Sequence, residues 1–246
     1  MEYLADGGLV NTLPVALIVF LAILVQAISG SGLALVAMPL LIGLLAPLEA
    51  ATLVSLMSIT TQSIMIMRYY RALTFQGLGR LIVGALIGIP IGIIALSQLN
   101  ERLILTVLGV ILVGYSLYSL FAPKIPQVKN PNWGYAFGFA SGLLHGAYNT
   151  GGPPYTIYCT TQNWSPPQFK CNMQVLLMVN SASVVIAHLV AGHVTPVVLQ
   201  NYLIALPMIL LATMTGFFLD RYINEQAFKR IVLVVLLVIG VKMLIP

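Results

Sequence analysis

Ten consecutive residues, His145-Gly-Ala-Tyr-Asn-Thr-Gly-Gly-Pro-Pro154, carry most of the chemistry this chain can offer. They interrupt an apolar run from about Trp133 to Gln162. Gly151-Gly152 lowers helix propensity and Pro153-Pro154 removes two backbone donors, so no unbroken helix passes through. Prolines fit the first turn of a helix, so the same four residues also start one. The pattern reads as helix, break, helix. At membrane depth, freed backbone must be buried in protein or line a watery cavity. The start of a half-helix presents unsatisfied N–H groups and about half a positive charge to whatever occupies the break. That suits an anion. A kinked helix that merely packs is the plainer alternative.

A second break lies in the first apolar run, Leu13 to Leu45, which as one helix would be about 50 Å long against a hydrocarbon core of roughly 30 Å. It contains Ser29-Gly30-Ser31-Gly32 and then Pro39. Gly30, Gly32, Gly151 and Gly152 let a ligand approach the backbone closely. Ser29, Ser31, Asn149 and Thr150 add neutral donors for the several oxygens of an oxyanion. Gln26 lies one turn before the first break, and Tyr148 adjoins the second. Gln174 and Asn180 lie on the span after the second break, with Thr61 and Gln62 on the corresponding span of the first half. Packing between helices explains such amides as readily as ligand contact does. His145 is the titratable residue of the set. It could donate to an anion or carry a proton; a neutral histidine bonded to a carbonyl is the bland counterpart. The candidate substrate-binding residues are therefore Gln26, Ser29, Gly30, Ser31, Gly32, His145, Tyr148, Asn149, Thr150, Gly151, Gly152 and Gln174.

Composition says what must position them. Of 246 residues, 7% are charged and 59% hydrophobic, with a mean hydropathy of +0.99. Soluble domains carry about 25% charge, so this is an all-α polytopic membrane protein. No polar stretch is long enough to fold alone, so residues 1–246 read as a single membrane domain. The net charge of +5 sits in short loops and speaks to orientation rather than to nucleic acid. No Lys or Arg precedes the first apolar run, so it lacks the basic region of a signal peptide. Cys159 and Cys171 make no disulfide framework and read as small buried residues. There is no metal-spaced Cys/His cluster, no phosphate loop and no mid-membrane carboxylate. No cofactor is called for, ATP-driven transport is unsupported, and so is a carboxylate proton relay. Tyr69, Tyr70, Trp133 and Tyr222 read as interfacial anchors.

Along the chain, spans run from about Ala50 to Met67, Leu81 to Leu99 and Leu103 to Phe121. A proline-rich stretch then divides the chain. The second half repeats the first. A shift of 119 pairs Gly32 with Gly151 and Pro47 with Pro166; a shift of 124 pairs Gly92 with Gly216 and Asn100-Glu101 with Asn224-Glu225. Two repeats follow, about 9–122 and 133–246, joined by a linker at about 123–132. If each broken element is a re-entrant hairpin, each half keeps three full spans and the repeats are inverted. With the N-terminus outside, the inner side receives Arg68, Arg71, Arg80, Lys124, Lys129, Lys170, Arg221, Lys229 and Arg230, and the outer side only Arg102 and Lys242. If each broken element crosses once, the split is six against five. The positive-inside rule selects the hairpins. They would meet near the midplane, where inverted-repeat transporters hold substrate.

The break ahead of Val36-Ala37-Met38-Pro39-Leu40-Leu41, the break Gly151-Gly152-Pro153-Pro154 and the following Pro166-Pro167-Gln168-Phe169-Lys170 resemble the TauE/SafE sulfite exporter family. The duplicated layout is similar along nearly the whole chain, although serines interrupt the first glycine cluster. The resemblance implies a transporter of small sulfur-containing anions, such as sulfite, sulfoacetate or another organosulfonate, in the cell inner membrane. A secondary transporter working by alternating access is the leading expectation, with a proton or sodium ion as possible coupling partner. An anion-selective channel lined by the same helix ends is the alternative. A third reading is an intramembrane sulfur-handling enzyme using Cys159 or Cys171. Gly84, Gly88 and Gly92 recur every four residues and permit close packing within the chain or in a homodimer.

Overall fold

The computed structural model describes residues 12–98, 100–121, 128, 130–220 and 222–245. Lys124, Lys129 and Arg221, which enter the charge argument, lie outside them, as does most of the linker. Among the described residues the helices run α1 (Thr12–Ser29), α2 (Leu33–Leu41), α3 (Pro47–Tyr69), α4 (Leu78–Gln98) and α5 (Glu101–Phe121). The second half gives α6 (Trp133–Tyr148), α7 (Gly152–Cys159), α8 (Pro166–Val190), α9 (Pro196–Leu219) and α10 (Glu225–Leu244). Five helices, α3, α4, α5, α8 and α9, are long and apolar enough to cross a bilayer, and α10 has the length at 20 residues. The outward faces of α1, α4, α5 and α9 carry exposed Leu17, Leu21, Ile87, Val110, Leu203 and Met214. Such a surface is stable only against lipid.

Local chemistry sets the ends. Pro47, Pro166 and Pro196 begin α3, α8 and α9, where a missing N–H costs nothing. Ser165 and Gln168 form a capping box at α8. The Asn100 Oδ1 accepts from Leu103 N, and Asn224 Oδ1 accepts from Ala227 N, so the matched Asn-Glu turns cap α5 and α10 alike.

Both broken elements double back. Helix α1 is stopped by Gly30 at φ +76°, and α6 by Asn149 at φ 55°. These two residues are related by the 119-residue shift. Glycine and asparagine are the residues that adopt this left-handed conformation most readily. Beyond the second stop, the Gly151 carbonyl accepts a 2.6 Å bond from Ser141 Oγ, ten residues earlier. Beyond the first, Leu33 N donates to Gln26 Oε1 at 3.1 Å, seven residues earlier. The short helices α2 and α7 therefore run back along α1 and α6.

The main helix pairings recur when the halves are exchanged. Helix α4 packs on α6 as α9 packs on α1, and α3 packs on α9 as α8 packs on α4; α3 pairs with α8 and α5 with α10. The glycine stripe settles inside the chain. A Cβ at Gly84, Gly88 or Gly92 would overlap the carbonyl oxygen of Tyr135, Phe139 or Leu143 of α6. Gly138, Gly142 and Gly146 answer from α6, against Leu81, Ala85 and Ile89.

One end of the molecule gathers the cations. The Arg68 guanidinium lies 4.1 Å from the Phe217 ring centroid, and Lys170 pairs with Asp220. A cavity of about 410 Å³ there is lined by Arg80 of α4, Pro131 and Val128 of the linker, and Thr161 to Trp164 after α7. His188, near the end of α8, is buried, at 1% exposed. Gly192, at φ +72°, turns the chain after α8, and His193 folds back so that the two Nδ1 atoms lie 3.0 Å apart.

Candidate functional site

A small cavity lies between the two breaks. Its walls are Gln26, the α2 start from Gly32 to Leu35, Ser58 and Gln62 of α3, His145, Asn149, Thr150, Gly152 and Leu177. Ser58 is the twelfth of 23 residues in α3 and Leu177 the twelfth of 25 in α8, so the cavity sits level with the middle of these two spans. The 119-residue shift pairs Gln26 with His145, Leu33 with Gly152 and Ser58 with Leu177. The same site is thus lined by equivalent positions of both halves. The two breaks touch there: a Cβ on Gly152 would lie 3.7 Å from the Ser31 Cβ.

Of the residues singled out by sequence, Gln26, Gly32, His145, Asn149, Thr150 and Gly152 line this cavity. Gln26 is also structural, because Oε1 caps the Leu33 N–H and Nε2 donates to Gln174 Oε1 at 3.0 Å. Gln174 in turn donates to the Gly30 carbonyl at 2.6 Å, so Gln174 and Gly30 brace the first break. The Ser29 hydroxyl lies 2.7 Å from the Val25 carbonyl and 2.6 Å from that of Ser31, which commits its single hydrogen to main chain. Ser29 and Ser31 line a neighbouring cavity. The Gly151 carbonyl is held by Ser141. Tyr148, 2% exposed, packs in the apolar core.

What the cavity offers is neutral. Neither Lys, Arg, Asp nor Glu lines it. Asn149 Nδ2 donates to the Ala51 carbonyl at 2.7 Å, while its Oδ1 is buried with no partner. Gln62 Oε1 is likewise unpartnered. His145 places Nε2 3.1 Å from Ser181 Oγ and leaves Nδ1 without a partner. This replaces the carbonyl bond considered for a packing histidine. Buried polar atoms are almost always paired, so three residues with such orphans lining one cavity make it the candidate site. The first intrahelical bond of α2 runs from Val36 N to the Gly32 carbonyl. The N–H groups of Ala34 and Leu35 precede it and carry the positive end of the helix dipole toward the cavity. Main-chain donors, hydroxyls and the His145 ring can hold an oxyanion without a cation. At about 20 Å³ the cavity has room for one water-sized group.

Sequence reasoning gave Gln62 no special weight and passed over Ser58 and Leu177. Applying the repeat offset to residues facing the first break would have found the Ser58–Leu177 pair. The charge argument counted Lys170 simply among the inner-side cations. Lys170 is buried, its side chain packs against Gly30, and Nζ bonds both Asp220 carboxylate oxygens at 2.8 and 3.0 Å. This pair ties α8 to the end of α9 beside the first break. Asn180 and Tyr155 join Ser141 in a second brace, under the other break.

Comparison with known proteins gives the family. The chain is similar to the "Probable sulfite/organosulfonate exporter TauE" of Cupriavidus necator, 23% identical over 227 residues that cover 90% of this chain and 89% of that one. No solved structure matches it. The sulfite exporter TauE/SafE family model matches residues 15–243; with its crossing apolar helices and paired breaks, this chain belongs to the TauE/SafE sulfite exporter family, membrane transporters rather than enzymes.

Proposed function

We propose that the chain is a secondary transporter that moves small sulfur-containing anions, sulfite or an organosulfonate, across the cell inner membrane by alternating access. The anion sits between the two breaks, at the cavity lined by Gln62, His145, Asn149 and Thr150. The observation that carries this reading is the placement of repeat-equivalent residues from both halves around one mid-depth cavity with orphaned polar atoms. The repeats are inverted and act as one transport unit, with the N-terminus outside. Two facts support the hairpin topology. Arg68 shares an end with Phe217, and Arg80 shares one with Thr161 to Trp164. If each broken element crossed once, both pairs would be on opposite sides. The cavity's small size favours a carrier that must open over an open channel. Its mixed donors and acceptors suit an oxyanion that carries a hydrogen, or an anion taken up with a proton or sodium ion.

The test is radiolabelled sulfite counterflow in proteoliposomes, with wild type beside Asn149→Ala and Gly152→Leu. Saturable flux that organosulfonates compete and acetate does not, reduced at least tenfold in both variants, is the expected result. Flux that no sulfur anion competes overturns the substrate class. Wild-type flux in both variants moves the site elsewhere.

A further inference from the structure

At one pair of equivalent positions lining the central cavity, the two halves differ in chemistry. Gln26 and His145 are related by the 119-residue shift. Gln26 spends its amide on the protein: Oε1 accepts from Leu33 N and Nε2 donates to Gln174 Oε1. His145 is 1% exposed, bonds Ser181 Oγ through Nε2, and leaves Nδ1 without a partner. A glutamine at 145 could brace a break as Gln26 does. What a histidine adds is the ability to gain and lose a proton near neutral pH.

Among the described residues, His145 is the only titratable side chain that lines this cavity. Those on the helices around it are engaged or placed elsewhere. On α7, Tyr155 donates to Asn180, Cys159 packs in an apolar cluster, and Tyr158 borders the 410 Å³ cavity at the cationic end together with Arg80 of α4. On α8, Lys170 bonds Asp220 and His188 meets His193, roughly 16 and 10 Å along the helix from Ser181; Cys171, next to Lys170, is buried. On α3, Glu49 stands in the first turn and Arg68 with Tyr69 in the last. On α6 itself, Tyr148 packs in the core and Tyr135 is exposed. Helices α1 and α2 carry no titratable residue. Neutral donors can hold an oxyanion in place, yet each crossing still moves its whole charge through the apolar zone. A proton that boards with the anion lowers that charge by one.

We infer that His145 couples transport to protons: Nδ1 takes one proton from the side where the anion enters and gives it up on the side where the anion leaves, so that one proton travels with each anion. This inference rests on the transporter reading above and names its coupling ion. In the loaded state the imidazolium donates through Nε2 to Ser181 Oγ and through Nδ1 to an oxygen of the anion. The emptied site returns with a neutral ring.

The experiment follows radiolabelled sulfoacetate in proteoliposomes held at zero membrane potential by potassium and valinomycin, with the outer medium one pH unit more acid than the lumen. The sulfonate and carboxylate of this probe are both ionised near neutral pH, so no proton rides on the substrate itself. Starting from equal concentrations, wild type is expected to accumulate the anion about tenfold in the lumen, the ratio set by one proton per anion across one pH unit. His145→Gln is expected to exchange sulfoacetate more slowly and to accumulate none. No accumulation by wild type, loss from the lumen, or equal accumulation by the variant overturns the inference. So does a folded His145→Gln protein that no longer exchanges at all, because His145 is then a binding residue only. If wild type carries sulfite but not sulfoacetate, sulfite is driven by the same gradient; greater accumulation by wild type than by the variant supports the inference, and equal accumulation overturns it. No saturable flux of either anion by wild type instead overturns the transporter reading itself. If His145→Gln fails to yield a monodisperse protein, His145→Asn is judged by the same criteria.

Discussion

At the scale of single residues, the telling atoms are those left without partners. A buried amide oxygen with no hydrogen bond costs about 1–3 kcal/mol. Gln62 Oε1 is such an atom, on an α3 residue that lines the central cavity. Were Gln62 only a packing residue, leucine would serve better. Gln62→Leu is therefore expected to leave the melting temperature in detergent unchanged or raise it, while sulfite transport falls at least tenfold. Unaltered transport would remove this amide from the site. Residue types at the two breaks were legible in the sequence because glycine, proline and short polar residues interrupting an apolar run have few other uses. Their detailed duties were not. Ser29 has the right chemistry for an anion, but its hydrogen goes to the carbonyls of Val25 and Ser31, a bond set by the local turn. Gln62 and Thr61 are neighbours of similar polarity; only the rotation of α3 sends Gln62 to the cavity, while Thr61 bonds back to the Met57 carbonyl.

At the scale of elements, what holds the breaks in place is close contact between flanking helices. Helices α4 and α6 interlock through six glycines, so their backbones approach as van der Waals packing in a membrane requires. A methyl at Gly88 would meet the Phe139 carbonyl oxygen and, at 2.8 Å, the Leu143 nitrogen. Neither is the end of a flexible side chain. Gly88→Ala is expected to destabilise by about 3 kcal/mol or to prevent folding. Gly114→Ala is the control. An added Cβ there has nothing within 4 Å, and the exchange in a helix interior is worth up to about 1 kcal/mol in favour of alanine. Equal melting temperatures for the two variants would deny the stripe its role. The stripe's four-residue spacing was visible in the sequence, but the chain alone left packing within or between protomers open. The partner is α6, remote in sequence, and its own glycines at 138, 142 and 146 complete the match. Helix ends were more legible, since Pro166 with Ser165 and Gln168, or the paired Asn-Glu turns, act within a few residues.

At the scale of the whole molecule, alternating access requires the two broken elements to change places around the anion. A 20 Å³ cavity does not admit an ion with three oxygens and its hydration, so on the alternating-access proposal the two broken helices must part before substrate enters. The contact between Ser31 and Gly152 lets this be tested directly. Their Cβ separation of 3.7 Å falls within the range of about 3.5–4.5 Å found across disulfides. Native Cys159 and Cys171 are both buried, and replacing them by alanine leaves a clean background. In that background, Ser31→Cys with Gly152→Cys is expected to cross-link under mild oxidant and to lose transport, with at least tenfold recovery on reduction. Each single cysteine variant should be indifferent to oxidant. Transport that continues at full rate through a quantitatively cross-linked protein would mean that the breaks do not separate during the cycle. The moving parts would then be the outer helices, and the two broken helices would be a fixed frame rather than the gate.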